Sequence, residues 1–287
     1  MPPDTRPVDR RDKTHIRPLT GAPPELSYFT ARDFAYGRTM RNMQISGFHR
    51  WGYVVIRTAS YNEDNNQLWE PFLAHLRAVN DHDIPAFMLP LLTWDVLEDR
   101  DLEGAGVEAA IRQFSAWRAE VSVERDGEGA DDLLVRVGHV ARIRYFVMVD
   151  DESLASLREA ESVAKAMPGR RPLPPVKVRV VDAGCPEGVE HLFGFGPFDP
   201  GCQEAVEAQA SGQASQGDGE DGEEDEEDDD VDDDSVDMSD THSPVEGCTS
   251  WDVGWMWVRT KFLLSFSDIL QVDQGWSLFY ERPPKVY

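Results

Sequence analysis

The run WDVLEDRDLEG, residues 94–104, contains carboxylates whose spacing would allow acid–base chemistry. Two carboxylates can act as general acid and general base when their surroundings separate their pKa values. Arg100 lies among these acids and glycines follow them, so a solvated loop before the next helix explains the same residues, and we favour that interpretation. The candidate catalytic carboxylates of this run are Asp95, Glu98, Asp99, Asp101 and Glu103.

A second acidic pair, Asp150 and Asp151, directly follows the apolar run RIRYFVMV. Functional acids are common at the carboxyl ends of strands in α/β proteins. An aspartate at the same place also caps a following helix, and Glu152 adds negative charge to its first turn. We favour helix capping, and Asp150 stays a candidate catalytic residue.

Cysteine and histidine side chains suggest a possible metal site around a long polar stretch of the chain. Zinc motifs place their ligands in close pairs such as C-x₂₋₄-C or H-x₃₋₅-H. The intervals here are five, ten, thirty-nine and five residues, which favours loop residues and free thiols over a metal site. The weak candidate ligands are Cys185, His191, Cys202, His242 and Cys248.

Tryptophans provide a candidate binding surface. Trp255 and Trp257 share a face of one predicted strand because side chains alternate along it, and Trp251 precedes them. Aromatic residues on a sheet are most often core residues, but such a face can also line a pocket or contact a partner. The GFGPF run at residues 194–198 lacks the spacing of a phosphate-binding loop, and we expect no cofactor.

Hydrophobic spacing predicts the elements that would position these residues. A helix is expected to start near Trp69, because Pro71 is tolerated only in a first turn. Further helices are predicted over residues 107–121, after Asp150, and around residues 262–269. Strands are predicted at residues 51–58, 88–96, 142–149, 176–182, 251–259 and 276–280, with Pro90 placing the second at a sheet edge or at a bend.

Residues 142–281 thus follow the order strand, helix, strand, insertion, strand, helix, strand, which is that of a ferredoxin-like βαββαβ unit. We predict an α+β fold with a mixed or antiparallel sheet, in which residues 176–182 and 251–259 are neighbouring strands. Residues 1–25 are predicted to be a disordered arm and residues 203–247 a disordered acidic insertion. Residues 26–202 and 248–287 would form one globular domain.

The net charge of −26 is concentrated in one tract. Residues 218–240 contain sixteen acidic residues and no basic one, and without them the charge is −10. No Lys or Arg lies between Arg179 and Arg259, so direct nucleic-acid binding is disfavoured, whereas basic proteins are possible partners of the tract. With three cysteines and neither a secretory signal nor a membrane-spanning run, we expect a cytoplasmic protein, with the nucleus as the alternative.

The runs WGYVVIRT, WDVLEDRDLEGA, RYFVMVDDESLASL and PVEGCTSWDVGWMWV together resemble a family of uncharacterised proteins from filamentous ascomycete fungi. The resemblance covers roughly residues 45–285. It implies a fungal, intracellular origin, and no activity, cofactor or catalytic residue carries over from it.

Two functions remain open from the sequence. The first is a non-enzymatic interaction protein whose acidic loop engages basic partners. The alternative is a small-molecule-binding protein or enzyme, with a pocket lined by the tryptophans and the acids of residues 95–101. The first is preferred because no motif supports the second.

Overall fold

The computed structural model describes residues 19, 35–80, 84–131, 140–184, 242–272 and 274–287. These belong to two compact units, of which the smaller contains residues 242–253 and the larger contains the rest. Every helix and strand named below lies in the larger unit. Its helices are α1 (Gly37–Ser46), α2 (Glu63–Asn80), α3 (Val107–Ala119), α4 (Val123–Asp126), α5 (Ala141–Arg144), α6 (Asp151–Ala166), α7 (Leu263–Ile269) and α8 (Gly275–Phe279).

Five strands form one mixed sheet in the order β2-β1-β3-β4-β5. Strand β1 is parallel to both β2 and β3, whereas β4 is antiparallel to β3 and to β5. Every residue of β1 and β3 is buried, which explains why both read as continuous apolar runs without polar alternation. The strands are β1 (Trp51–Arg57), β2 (Leu92–Glu98), β3 (Tyr145–Val149), β4 (Lys177–Asp182) and β5 (Trp255–Arg259).

Helices cover both faces of the sheet. Trp51, Tyr53 and Val55 lie on the first face, in a core cluster that also contains buried residues of α1, α2, α6 and α7. Helix α3 covers the second face, where the rings of Phe114 and Phe146 stack with centroids 4.9 Å apart. Because the two crossovers around β1 use opposite faces, the β2-β1-β3 part resembles a doubly wound α/β sheet.

The prediction of an α+β fold with a mixed sheet is confirmed. Residues of β4 and β5 are direct antiparallel neighbours, from Lys177 opposite Arg259 to Val181 opposite Trp255, as expected for the two strands on either side of the insertion. Strand β2 lies at a sheet edge, but it begins at Leu92, after a 3₁₀ turn (Leu89–Leu91) that contains Pro90.

The ferredoxin-like order is not confirmed. Residues 276–280, predicted as its last strand, lie mainly in helix α8, which buries Trp276 against the ring of Tyr145 at 5.5 Å. Strands β3 and β4 are also direct antiparallel neighbours, whereas a ferredoxin-like unit separates them by another strand. The apolar residues 276–280 satisfied the composition of a strand, but their contacts are those of a short helix.

One helix prediction and one strand prediction need correction. Helix α2 begins at Glu63 rather than near Trp69 and contains Pro71 in its interior. The earlier start is stabilised by Asn62, whose Oδ1 accepts the Asn65 amide at 2.8 Å and so caps the helix. Burial of Trp69, Phe72 and Leu76 outweighs the cost of a proline inside the helix. Residues 142–144, expected in a strand, belong to the short helix α5.

Several predictions lie outside the described residues. The arm at residues 1–25 is undescribed except for Leu19, and the insertion is undescribed up to residue 241. Their predicted disorder therefore stays a prediction. Among the described residues, no helix combines the length and apolar character needed to cross a membrane.

Candidate functional site

The carboxyl ends of β1, β2 and β3 meet at one edge of the sheet because the three strands are parallel. From β1 the chain passes over the first face to β2 on one side, and it then returns over the second face to β3 on the other side. Such a reversal leaves a crevice beyond the strand ends, which is the usual ligand position in open α/β sheets. We call this place, formed by residues 57–66, 98–103 and 150–151, the switch-point edge.

A network of short hydrogen bonds joins the loop after β1 to the end of β3. Asp151 Oδ1 accepts the Ser60 amide at 2.8 Å, the Ser60 hydroxyl at 3.0 Å and the Asn65 side-chain amide at 2.8 Å. Ser60 Oγ also accepts Asn62 Nδ2 at 2.7 Å and Asn65 Nδ2 at 2.8 Å. The network holds polar groups of two loops in fixed positions, and Asn62 and Asp151 are exposed to solvent.

Arg57, the last residue of β1, lies beneath this loop with only 2% of its surface exposed. Its Nη2 donates to Asn66 Oδ1 at 2.6 Å and to the Ser60 carbonyl at 3.2 Å. Its Nη1 reaches Glu98 Oε2 at 3.4 Å, a long contact to a side chain that is itself 41% exposed. The buried cation is therefore only weakly neutralised by its carboxylate.

Two aromatic rings enclose the same guanidinium. Arg57 Cζ lies 3.9 Å from the centroid of Tyr61 and 4.9 Å from that of Trp69. Arg100 approaches Tyr61 at 5.4 Å. These cation–π contacts partly replace the hydration that Arg57 loses on burial.

Three buried polar atoms of this cluster have no hydrogen-bond partner among the described residues: Arg57 Nε, Tyr61 Oη and Trp69 Nε1. Buried polar groups are usually hydrogen-bonded, and leaving one unpaired costs about 1–3 kcal/mol. Burial also raises the pKa of Tyr61 above its ordinary 10. A tyrosine hydroxyl is in any case protonated at neutral pH and can donate. Each of the three atoms can therefore donate to an acceptor.

The helix N-termini at this edge are already closed. Asn62 caps α2, which carries Glu63 and Asp64 in its first turn. Asp150 caps α6 through the Ser153 amide at 2.8 Å, and Asp151 and Glu152 follow. Phosphate sites use free N-terminal amides and tolerate few carboxylates, so this edge is unsuited to a phosphate group.

The predicted catalytic acids do not form one group. Glu98 lies at the switch-point edge, but Asp95 faces the second side of the sheet, where it pairs with Arg142 Nη2 at 2.6 Å. Burial lowers the pKa of Arg142 and Asp95 opposes this effect, so the pair explains Asp95 as the counter-ion of a buried arginine. The expectation of a joint acid–base site over residues 95–103 therefore has no support in the geometry.

The remaining acids mainly organise the backbone. Asp99 caps a short 3₁₀ turn by accepting the Asp101 amide at 2.9 Å. Glu103 Oε1 accepts the Tyr61 amide at 3.1 Å. Asp150, besides capping α6, forms an ion pair with Arg179 at 2.7 Å, which agrees with the capping interpretation.

The candidate binding tryptophans are divided between the two units. Trp255 and Trp257 share one face of β5, as their parity indicated, but they are only 4% and 3% exposed. Their rings meet edge to face at 5.6 Å and stack against Arg179 and Lys177, each at 4.1 Å. These contacts give both side chains a packing role. Trp251 lies in the smaller unit, where its ring contacts His242 at 5.2 Å.

The candidate metal ligands are largely outside the described part of the chain. Cys185, His191 and Cys202 are not described, and His242 and Cys248 lie in the smaller unit. In the described ranges, no group of three or more His, Cys, Asp and Glu residues could hold a metal ion. Cys248 forms no disulfide with another described residue.

Of the switch-point edge, the acids at 98–103 and 150–151 were candidates from the sequence, but residues 57–66 were not. The polar run SYNEDNN, residues 60–66, directly follows the most clearly predicted strand, and this position was the available signal. Arg57 was not identified because it was assigned to an apolar strand. Trp69 was not identified because a tryptophan in a helix is normally a core residue.

No protein-family model, no curated protein and no solved structure matches this chain significantly. The resemblance to the ascomycete proteins therefore stays a prediction. Function has to be argued from the site itself.

Proposed function

We propose that this protein binds a small polar molecule at the switch-point edge. This develops the small-molecule alternative from the sequence, with a different set of residues. The supporting observation is the cluster of three buried, unpartnered atoms on Arg57, Tyr61 and Trp69, located where an α/β sheet reverses its winding.

The chemistry of the edge restricts the ligand. Three potential donors call for an oxygen acceptor, such as a carbonyl or hydroxyl oxygen. Capped helix ends and the carboxylates Glu98, Glu103 and Asp151 disfavour a phosphate or another multiply charged anion. Exposed Asn62 and half-buried Ser60 add groups that can bind hydroxyls. We therefore propose an uncharged, oxygen-rich ligand.

A thermal-shift screen of sugars, nucleosides and uncharged amides against the full chain tests this proposal. Binders are then titrated by calorimetry into the unaltered protein, Tyr61→Phe and Asp151→Asn. We expect Tyr61→Phe to weaken binding by on the order of tenfold, the effect of losing one buried hydrogen bond, and Asp151→Asn to weaken binding by loosening the loop that Asp151 holds through Ser60 and Asn65. Tyr287→Phe, the same chemical change at the far edge of the sheet, is the matched control and should keep full affinity.

Binders that retain their affinity in both site variants would contradict the proposal. A uniform loss in all variants, including Tyr287→Phe, would also contradict it, because the effect would then not be local.

A second function is supported by the acidic tract at residues 218–240, with sixteen acids and no base. We propose that this tract engages basic proteins, in a cytoplasmic or nuclear setting. A chain lacking residues 218–240 should lose the recovery of basic peptides in a pull-down at low salt, and retain small-molecule binding. Equal recovery with and without the tract would contradict this role.

A further inference from the structure

Residues 286–287 lie beside the outer edge of β5 and pair with it through an isolated bridge. Val286 forms a parallel bridge with Trp257. The Tyr287 amide donates to the Trp257 carbonyl at 2.9 Å, and the Arg259 amide donates to the Tyr287 carbonyl at 2.9 Å. The two residues thereby pair with backbone groups that an edge strand would otherwise leave open.

The side chain of Tyr287 occupies an aromatic seat. Its ring centroid lies 4.9 Å from Phe266, 6.1 Å from Phe262 and 6.1 Å from Phe279. Phe266 is fully buried, whereas Phe279 remains 39% exposed, so the seat extends from the core to the surface. The seat has the shape for one aromatic ring, and burial of that ring raises the pKa of Tyr287.

The attachment is light compared with that of a core strand. Val286 and Tyr287 are both only half-buried. The preceding Lys285 is exposed, and its ion pair with Glu281 at 3.4 Å joins two exposed side chains and contributes little. Two backbone hydrogen bonds and one ring therefore hold the segment.

We propose that the β5 edge and the three phenylalanines form a docking groove for an extended peptide, which residues 286–287 of this chain occupy and block. The peptide would pair in parallel with β5 and carry a branched aliphatic residue followed by an aromatic one. Main-chain pairing gives such strand addition its affinity, and the aromatic seat gives it selectivity. This surface is separate from the switch-point edge, and the inference does not depend on the proposed ligand.

Fluorescence anisotropy with a labelled peptide of residues 282–287, RPPKVY, tests the groove on the full chain. Because the resident segment competes, the unaltered protein should bind weakly. Tyr287→Ala, which empties the seat, should bind on the order of tenfold more tightly. Lys285→Ala, an exposed neighbouring change, is the matched control and should behave as the unaltered protein. A peptide ending in alanine should not bind.

A second variant lacks residues 286–287 and so also leaves the groove empty; we call this variant and Tyr287→Ala the open forms. The second open form controls for a folding defect in the first, and circular dichroism confirms that each variant is folded. Failure of both folded open forms to bind the peptide would overturn the proposal. Equal binding to the open and unaltered proteins would overturn it as well. Dimerisation of the unaltered chain by exchange of residues 286–287, unaffected by excess peptide, would assign the groove to a second copy instead.

Discussion

At the residue scale, the switch-point edge is distinguished by buried polar atoms that have no hydrogen-bond partner among the described residues. Tyr61 is the most informative of them, because its hydroxyl is buried without a partner among the described residues while its ring packs on Arg57. A group of this kind contributes to binding without contributing to the stability of the free protein.

Tyr61→Phe should therefore leave the free energy of unfolding of the ligand-free protein unchanged, or raise it by up to about 1 kcal/mol, because an unpaired buried hydroxyl is removed. Thr39→Val is the matched contrast, since the Thr39 hydroxyl is buried and donates to Asp268 Oδ1 at 2.9 Å. That variant should lose about 1 kcal/mol. Urea unfolding measures the free energy of unfolding of both variants. If Tyr61→Phe lost as much stability as Thr39→Val or more, the Tyr61 hydroxyl would have a hydrogen-bond partner.

At the same scale, we expect His75 to make the stability of the fold depend on pH. Its Nε2 lies 2.9 Å from Thr260 Oγ1, and burial lowers its pKa below the ordinary 6.5, although Glu161 opposes this. The unfolded chain therefore binds the proton more tightly, and stability should fall as the pH drops below about 6.5. His75→Gln removes the titration, so its unfolding midpoint should change less between pH 7.5 and 5.5 than that of the unaltered protein. An identical change would contradict this assignment.

At the element scale, the β1–β2 pair depends on a glycine. Gly52 has a φ of +105°, and a Cβ there would lie 2.3 Å from the Thr93 carbonyl oxygen. Thr93 is its direct partner in β2, so any side chain must force the two strands apart.

Gly52→Ala should consequently cost more stability than Gly104→Ala. Gly104 also has a positive φ, +68°, but a Cβ there would meet nothing within 4 Å. We expect about 1 kcal/mol for the conformational strain at Gly104, and at least about 2 kcal/mol at Gly52, where the clash adds to it. Thermal unfolding compares the two variants, and equal losses would refute the tight approach of β1 to β2.

Sequence patterns predicted some of these elements correctly and others wrongly. Runs of β-branched residues identified β1, β3 and β4, and the spacing of Phe114 and Trp117 identified α3, because those patterns record burial directly. Helix α8 was mistaken for a strand because so short a run, four apolar residues and Ser277, carries no period that separates a helix from a strand. Helix α1, with Met40 and Met43 buried, was missed because GRTMRNMQIS contains few apolar side chains, Met40, Met43 and Ile45.

The site was less predictable than the fold for a physical reason. Arg57, Tyr61 and Trp69 become a cluster only when the end of β1 and the start of α2 fold over each other. Asp95 and Glu98 are three residues apart in sequence, but alternation along β2 sends them to opposite faces. Proximity in sequence therefore suggested an acid pair that the strand geometry separates.

At the scale of the whole molecule, β4 and β5 pair directly although residues 183–254 intervene. Closure entropy grows only with the logarithm of loop length, so shortening this connection should change little. A chain lacking residues 205–241 should keep its circular dichroism spectrum and gain no more than about 1 kcal/mol in unfolding free energy. Loss of cooperative unfolding would instead show that the removed residues contribute to the core.

The most direct test of the central claim is the indole N–H resonance of Trp69 in the ¹⁵N NMR spectrum of the full chain. The chain has eight tryptophans, and Trp69→Phe identifies the signal by its disappearance. On saturation with a binder from the screen, we predict a downfield shift of the Trp69 signal, as its N–H donates to the ligand, with little change for Trp255 and Trp257. A saturated protein in which the Trp69 signal does not move, while other indole signals do, would contradict binding at the switch-point edge.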